Sequence, residues 1–195
     1  RAEIARGVNT YWLGEPVRTA VTHKHNIYAE GGDEAIRYGL GFTYNRTNGV
    51  MEQSWNELIG ANFDLTYRKG IASISNKMSY DYYKQEDPIV SFADFAKANP
   101  YYRKDAGNGK IERYLIDMDT YSGVYRVENP IYNATLNSFN LSERSNFDNK
   151  LNAELRFLPE LVLRGRFGLG LSQTKSDNFI SPGDPVYDNV SFDKK

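Results

Sequence analysis

This sequence predicts an all-β fold: antiparallel strands set side by side as the wall of a transmembrane β-barrel, with long extracellular loops, one of them containing a short helix. Three observations lead there. Apolar and polar residues alternate over strand-length stretches, short and long connections alternate along the chain, and no apolar run approaches the ~18 residues a membrane-crossing helix needs.

Residues 34–45 alternate without a break. Ile36, Tyr38, Leu40, Phe42 and Tyr44 fall on one face, and Ala35, Arg37, Gly39, Gly41, Thr43 and Asn45 on the other. About ten such residues suffice for a tilted strand to cross a bilayer. Residues 57–68 repeat the pattern, with Ile59, Ala61, Phe63, Leu65 and Tyr67 opposing Gly60, Asn62, Asp64, Thr66 and Arg68. Residues 146–158 set Phe147, Leu151, Ala153, Leu155 and Phe157 against Asp148, Lys150, Asn152, Glu154 and Arg156, with Asn149 interrupting the apolar side. Residues 161–172 set Leu161, Leu163, Gly165, Phe167, Leu169 and Leu171 against Arg164, Arg166, Gly168, Gly170 and Ser172. Two further strands are less regular: 70–83, whose apolar face carries the intruder Asn76, and 20–30, where His23 and His25 share a face with Val21, Ile27 and Ala29.

The links at Gly31-Gly32-Asp33, Arg68-Lys69-Gly70 and Pro159-Glu160 are very short, and between them lie 46–56, 84–145 and 174–195. Outer-membrane barrels alternate in this way, with tight periplasmic turns and long extracellular loops. Within the longest loop Ser91-Phe-Ala-Asp94 has the form of a capping box, and Asn99-Pro100 would stop the short helix it starts.

Composition narrows the function. With 24 basic and 25 acidic residues the net charge is −1, which argues against a nucleic-acid partner. The absence of cysteine excludes a disulfide framework and thiolate metal sites. Tyrosine, at 15 residues, is abundant, as suits strands, membrane interfaces and sugar-binding surfaces. There is no nucleophile elbow, phosphate-binding glycine loop, paired-carboxylate frame or metalloprotease motif, so no catalytic residue is assigned and no enzyme activity or cofactor is expected.

Face chemistry separates a barrel wall from a soluble β-sandwich. The polar faces combine bulky charges with glycines, which weaken a solvent-facing strand but make room in a crowded lumen. Arg37, Asp64, Arg156, Arg164 and Arg166 are the residues expected to face lumen or plug. The apolar faces tend to end in aromatics, at Tyr44, Tyr67, Tyr80, Tyr82 and Phe157, as girdles do. Trp55, Tyr101, Tyr102, Tyr121 and Tyr125 fall in expected outer loops, where they would stack on a substrate, contact a partner or pack the loops together. His23 and His25, two apart on a strand, have the spacing of metal ligands, yet no third ligand lies nearby, and rim or interface packing is favoured. Asp105 to Gly109 lacks the spacing of a calcium loop and reads as a turn. The glycosylation patterns at Asn45, Asn133, Asn140 and Asn189 are chance matches in a chain rich in Asn, Ser and Thr.

Set in order, several short motifs carry a resemblance. Asn9-Thr-Tyr-Trp12, Arg18-Thr-Ala20, His25-Asn-Ile-Tyr-Ala-Glu-Gly-Gly-Asp-Glu34 and Arg37-Tyr38 come first. Phe92 to Arg103, Asn129-Pro-Ile-Tyr-Asn133, Phe147 to Leu151 and Leu158 to Leu161 follow. Together they resemble the barrel of SusC/RagA-like TonB-dependent transporters. That resemblance implies a portion of a twenty-two-stranded barrel, residues 1–195 being part of the barrel domain without the plug or the remaining strands. The start at Arg1, without Met or a signal segment, fits an excerpt of a longer polypeptide. It further implies a multi-pass protein of the bacterial outer membrane that contacts outer-membrane lipid and imports a glycan, a peptide or a similar bulky nutrient. A SusD-like surface lipoprotein would lid it and TonB would pull on parts absent here. Two alternatives stay open: a soluble or surface-exposed glycan-binding β-sandwich, and a SusC-like barrel serving as a structural subunit of a secretion or assembly complex.

Overall fold

The computed structural model describes residues 2–105, 107 and 109–188. The pattern at Asn189 and the end of the last expected loop lie outside the described residues. Six long strands form one antiparallel sheet: β1 (Val21–Gly32), β2 (Ile36–Asn48), β3 (Trp55–Lys69), β4 (Ala72–Asp87), β7 (Phe139–Leu158) and β8 (Leu161–Phe179), in the order β1-β2-β3-β4-β7-β8. Every neighbour pair is a hairpin or is joined through the same end, and the sheet is not closed. A separate two-stranded hairpin, β5 (Tyr114–Thr120) with β6 (Gly123–Glu128), lies inside the longest connection. Short helices α1 (Ala2–Ala5), α2 (Phe92–Lys97) and α3 (Pro130–Thr135) and single 3-10 turns at Trp12–Gly14 and Pro185–Tyr187 complete the chain.

All six expected strands are present, and each runs longer than its alternation, β2 to Asn48 among them. β3 begins at Trp55, β4 reaches Asp87, β7 begins at Phe139 and β8 reaches Phe179. The loops at 46–56, 84–145 and 174–195 are shortened accordingly. The extensions escaped detection because their outward rows carry charge in place of apolar side chains. One row runs Arg46, Glu57, Lys84, Glu143, Lys175 across five strands, alternating in sign. Its ion pairs measure 3.0 Å for Arg46–Glu57 and 2.9 Å for Lys84–Glu143. Opposite charges directly across a ladder stabilise the pairing without any hydrophobic signal. The β5–β6 hairpin was also missed, since the extra residue between Tyr114 and Ile116 breaks the period of two.

The tight turns set the register of three hairpins. Gly32 sits at φ +131°, and a Cβ there would lie 2.0 Å from the Ile36 carbonyl oxygen, so only glycine fits. The Asp33 carboxylate then accepts hydrogen bonds from the Ala35 and Ile36 amides, at 2.7 and 2.8 Å. These amides hold its carboxyl below the usual carboxylate range, Ile36 contributing most.

Residues directly opposite share a face, so side chains can be followed in rows across the sheet. One face reads Ala29, Leu40, Phe63, Met78, Asn149, Leu169, and the next row Ile27, Phe42, Ala61, Tyr80, Phe147, Leu171. This apolar band lies open: Ile27 is 69% exposed, Leu40 55% and Phe167 61%. Among the described residues the other sheet, β5–β6, makes no substantial contact with it. From Ile36 to Tyr44 is eight residue steps, about 27 Å along a strand and about 21 Å in height at a tilt of about 40°, close to the apolar band of an outer-membrane barrel.

Two polar residues interrupt the band, and each answers the other. Asn76 on β4 and Asn149 on β7 exchange amide hydrogen bonds of 3.3 and 3.2 Å. On the opposite face, glycines make room for flat-lying neighbours. Gly39 lies under the Tyr28 ring and Gly41 under the Asn62 amide, each closer than a Cβ would allow.

Two predictions follow from this geometry. Asn76→Leu or Asn149→Leu alone should cost about 1–3 kcal/mol in micelles by orphaning the other amide, and the double variant should recover most of it; simple additivity in denaturant unfolding would exclude the reciprocal pair. Because Asp33 is more acidic folded than unfolded, its contribution is present above the ordinary carboxylate pKa and fades as pH falls through the lowered one. Unfolding rates followed from pH 6 downward should therefore rise more in the parent than in Asp33→Asn, and parallel curves would refute this.

Candidate functional site: the loop cap and the polar sheet face

The long connections, as far as they are described, gather at one end of the sheet, together with residues 2–20, and there they build a small core of their own. Trp12, Val90 and Phe95 are its buried residues, with Ala98, Tyr102, Leu115, Ile131 and Ala134 packed around them. α2 brings Phe95 in. Its start is fixed by Asp94, whose carboxylate accepts from the Ser91 backbone amide at 3.0 Å and from the Ser91 hydroxyl at 2.7 Å, as the capping box predicts. α2 ends at Lys97, just before Asn99-Pro100. The Trp12 indole donates to the Asn99 carbonyl at 2.9 Å, and the Thr10 amide and hydroxyl donate to the carbonyls of Pro100 and Tyr102. The N-terminal segment is thereby tied to a loop nearly ninety residues away in sequence.

Asn129 is the keystone of the cap, at 1% exposure. It starts α3 by accepting from the Ile131 amide, and its amide group donates to the carbonyls of Glu112 at 2.9 Å and Lys104 at 3.3 Å. One side chain thus joins three segments, and it leaves neither end of the amide bare in the interior. A second knot lies at the base of the hairpin. Asp188 takes Arg113, Tyr114 and Arg126 together, Arg126 also pairs with Asp117 at 3.0 Å, and both guanidinium groups sit over the Tyr114 ring at 5.6 and 5.0 Å.

Between α1, the segment after α2 and the β5 strand lies a cleft of about 660 Å³, whose lining includes Tyr101, Tyr102, Tyr114, Ile116 and Met118. Several ion pairs stand at its rim. Glu3 pairs with Arg103 and Arg6, Lys104 with Glu15, and Lys110 with Glu112. The Arg103 guanidinium, helped by Arg6, holds the Glu3 carboxyl below the usual range.

The five expected loop aromatics separate. Tyr101 and Tyr102 meet in the cleft, Tyr101 at its exposed rim and Tyr102 against the small core. Tyr121 stands fully exposed at the hairpin tip, in the turn between β5 and β6. Tyr125 is a strand residue of β6, opposite Met118, in place of the loop position expected. Trp55 is not in a loop. It opens β3, donates to Glu86 at 2.7 Å and carries the Arg46 guanidinium 4.8 Å over its ring, so it is engaged in the sheet. Sequence reasoning missed Asn129, Arg113, Arg126 and Asp188; only the Asn-Pro pair at 129–130, a cap followed by proline, signalled the first.

The five charged residues expected to point inward share the polar face. Arg37 and Arg166 lie in one row, Gly32-Arg37-Thr66-Ser75-Asn152-Arg166. Asp64 reaches Lys77 at 3.9 Å, and Arg156 and Arg164 both bind Glu154, at 3.2 and 2.9 Å. His25 stacks on Tyr44, ring centroids 6.3 Å apart, and His23 lies opposite Arg46, a poor neighbour for a cation. Among the described residues no cluster of three or more His, Asp or Glu is placed to hold a metal. Asp105 accepts from the Gly107 amide, the turn expected there, although parts of that stretch lie outside the described residues.

No family model matches the chain, and no curated protein matches it. Among solved structures it is similar to a chain of the RagAB peptide transporter, with a TM-score of 0.65 and 16% identity over 92% of this chain. The similarity covers 20% of that chain, so this sequence spans about one fifth of its length. At such identity the likeness concerns the fold: an antiparallel sheet of the kind a transporter uses. Among the described residues no helix is long and apolar enough to cross a membrane, which says nothing of crossing by strands.

The cap yields a prediction. Asn129→Leu should remove the α3 cap and strand two buried carbonyls, costing about 2–4 kcal/mol locally. Limited proteolysis should then cut between 88 and 138 while the six-stranded sheet stays protected; an unchanged cleavage pattern would show that Asn129 does not organise the cap.

Proposed function

We propose that this chain is a stretch of barrel wall and outer loops from a SusC/RagA-like TonB-dependent transporter of the bacterial outer membrane. The parent protein imports a bulky nutrient, a glycan or a peptide, and performs no covalent chemistry on it. A SusD-like surface lipoprotein covers the loop cap, TonB acts through parts outside this chain, and the residues Arg37, Asp64, Arg156, Arg164 and Arg166 face the lumen or the plug.

One observation carries this reading: a single-layer sheet with an apolar band on one face, none of the described residues packed over it, and the long loops at one end. A soluble sandwich would place a second sheet against that band. Here the partner of the band is lipid. The order of family-like motifs and the transporter-like fold support the same conclusion.

The test turns on a sign. In a bilayer, Leu40→Arg on the apolar face should destabilise by about 2–4 kcal/mol, whereas Ser79→Arg on the polar face should cost little. In a water-soluble protein an arginine replacing a half-exposed leucine would be neutral or would improve solubility. Refolding the full-length polypeptide into lipid vesicles with each substitution measures the difference, and equal behaviour of the two variants would remove the barrel.

A further inference from the structure

We infer that the turn-side half of the polar sheet face docks an acidic protein surface, supplied by a segment of the parent polypeptide outside residues 1–195. The inference rests on the transport reading, in which the polar face encloses the lumen, and adds to it the chemistry of what lies there.

The first ground is charge. Three successive rows cross the sheet on this face: Glu30-Gly39-Asp64-Lys77-Lys150-Gly168, Gly32-Arg37-Thr66-Ser75-Asn152-Arg166 and Arg68-Ser73-Glu154-Arg164. Their cations outnumber their carboxylates, although the chain as a whole has a net charge of −1. The carboxylates present are engaged or distant. Asp64 lies 3.9 Å from Lys77, Glu154 takes Arg156 and Arg164 together, and Glu30 stands on β1, far across the sheet from Lys150. Arg37, Arg68, Lys150 and Arg166 are exposed and make no ion pair among the described residues. Lys77 and Lys150 stand directly opposite each other on β4 and β7. Like charges so placed weaken a ladder, and a carboxylate arriving from outside the sheet would relieve the repulsion.

The second ground is Gly168, which faces Lys150 across the β7–β8 ladder. The sheet itself accounts for Gly39 and Gly41, because Tyr28 and Asn62 lie over them. At Gly168 a Cβ would meet only the Asn149 carbonyl oxygen, at 4.0 Å. A glycine inside a strand weakens it, and one that its own sheet does not require marks a place where another backbone comes close. The missing side chain leaves an open approach beside Lys150 and Arg166.

The third ground is extent. From Arg37 to Arg166 is four strand spacings, about 19 Å, and from the row of Lys150 to that of Arg68 about 13 Å along the strands. A small anion would touch one or two of these cations, and small-ligand sites are concave. A protein surface spans the whole patch, and complementary charge sets its register. The patch lies at the end of the tight turns, opposite the loop cap. In the barrel its occupant therefore sits inside the lumen, where the parent polypeptide supplies it.

The experiment treats the full-length polypeptide, in detergent, with a carbodiimide, which joins a lysine amine to a carboxylate in contact with it. Peptide mass spectrometry should find Lys150 joined to an Asp or Glu of the same polypeptide outside residues 1–195. The Lys104–Glu15 pair, 3.2 Å apart, is the internal standard for the reaction. Gly168→Tyr, which fills the approach, should cut the Lys150 yield about tenfold or more relative to that standard. Lys150 joined only within residues 1–195, joined to a separate protein, or left unjoined while Lys104 and Glu15 are linked would each overturn the proposal, as would an unchanged yield in Gly168→Tyr. Lys150 that is unjoined, protected from acetic anhydride and reactive again after gel filtration would identify a soluble anion in place of a protein surface. Vesicle insertion of the same preparation is scored separately: protein that inserts without the Lys150 link removes only the docking surface, whereas protein that does not insert removes the transporter.

Discussion

The rest of the structure depends on an apolar sheet face that the chain itself leaves uncovered. In a soluble domain two layers share their apolar sides, and the core between them holds the fold together. Here the only buried apolar cluster among the described residues, Trp12, Val90 and Phe95, belongs to the loops and not to the sheet. The six strands are held by their ladder and by side chains that meet along rows, while their apolar band requires a solvent of its own kind. On the proposed reading a hydrocarbon layer would offer that, and in it every backbone group must find a partner within the protein. The interior strands satisfy this demand. The outer edges of β1 and β8 are unpaired within this sheet.

This constraint accounts for details that otherwise look unrelated. The β4–β7 pair is joined by residues 88–138, so no tight turn fixes its register, whereas the Gly32 and Asp33 turn fixes β1 against β2. The Asn76–Asn149 pair lies on β4 and β7. A two-residue slip would separate the two amides in an apolar surrounding, where each would remain unsatisfied. Two polar intruders that cost little when matched thus supply the register that the long connection cannot. The charged row from Arg46 to Lys175 marks where the band ends. Just inside it, Tyr44 donates to Glu57 at 3.0 Å, so an amphipathic ring bridges the apolar surface and the ionic row.

The sequence revealed the sheet where its physics is periodic. Ile36 to Tyr44 and Leu161 to Leu171 are legible because one face must be apolar throughout. The upper ends of β4, β7 and β8 were not, because Lys84, Glu143 and Lys175 stabilise one another across strands, a pairing with no trace in any single segment. Trp55 was placed in a loop for the same reason. Of the cap, only the Ser91–Asp94 box could be read, since it is a contact between near neighbours. Asn129 binding Glu112 and Lys104, or Asp188 gathering Arg113 and Arg126, joins residues whose proximity exists only after folding.

The two halves of the molecule therefore obey different rules. The sheet is ordered by a repeating pattern, and it tolerates long insertions because loop closure becomes costlier only slowly with length. The cap is ordered by a few long-range side-chain contacts around a core too small to stand without them. Outer loops freed from the periodicity of the wall can change their surface while the strands keep their register. The tie of Trp12 to Asn99 and of Arg18 to the carbonyls of Gly49 and Ser54 then explains why the cap is nonetheless one body: each long connection is fastened to the segment entering or leaving another strand. A loop surface built this way is held by a few fixed supports on a regular sheet, the arrangement on which loops carry binding residues in other folds.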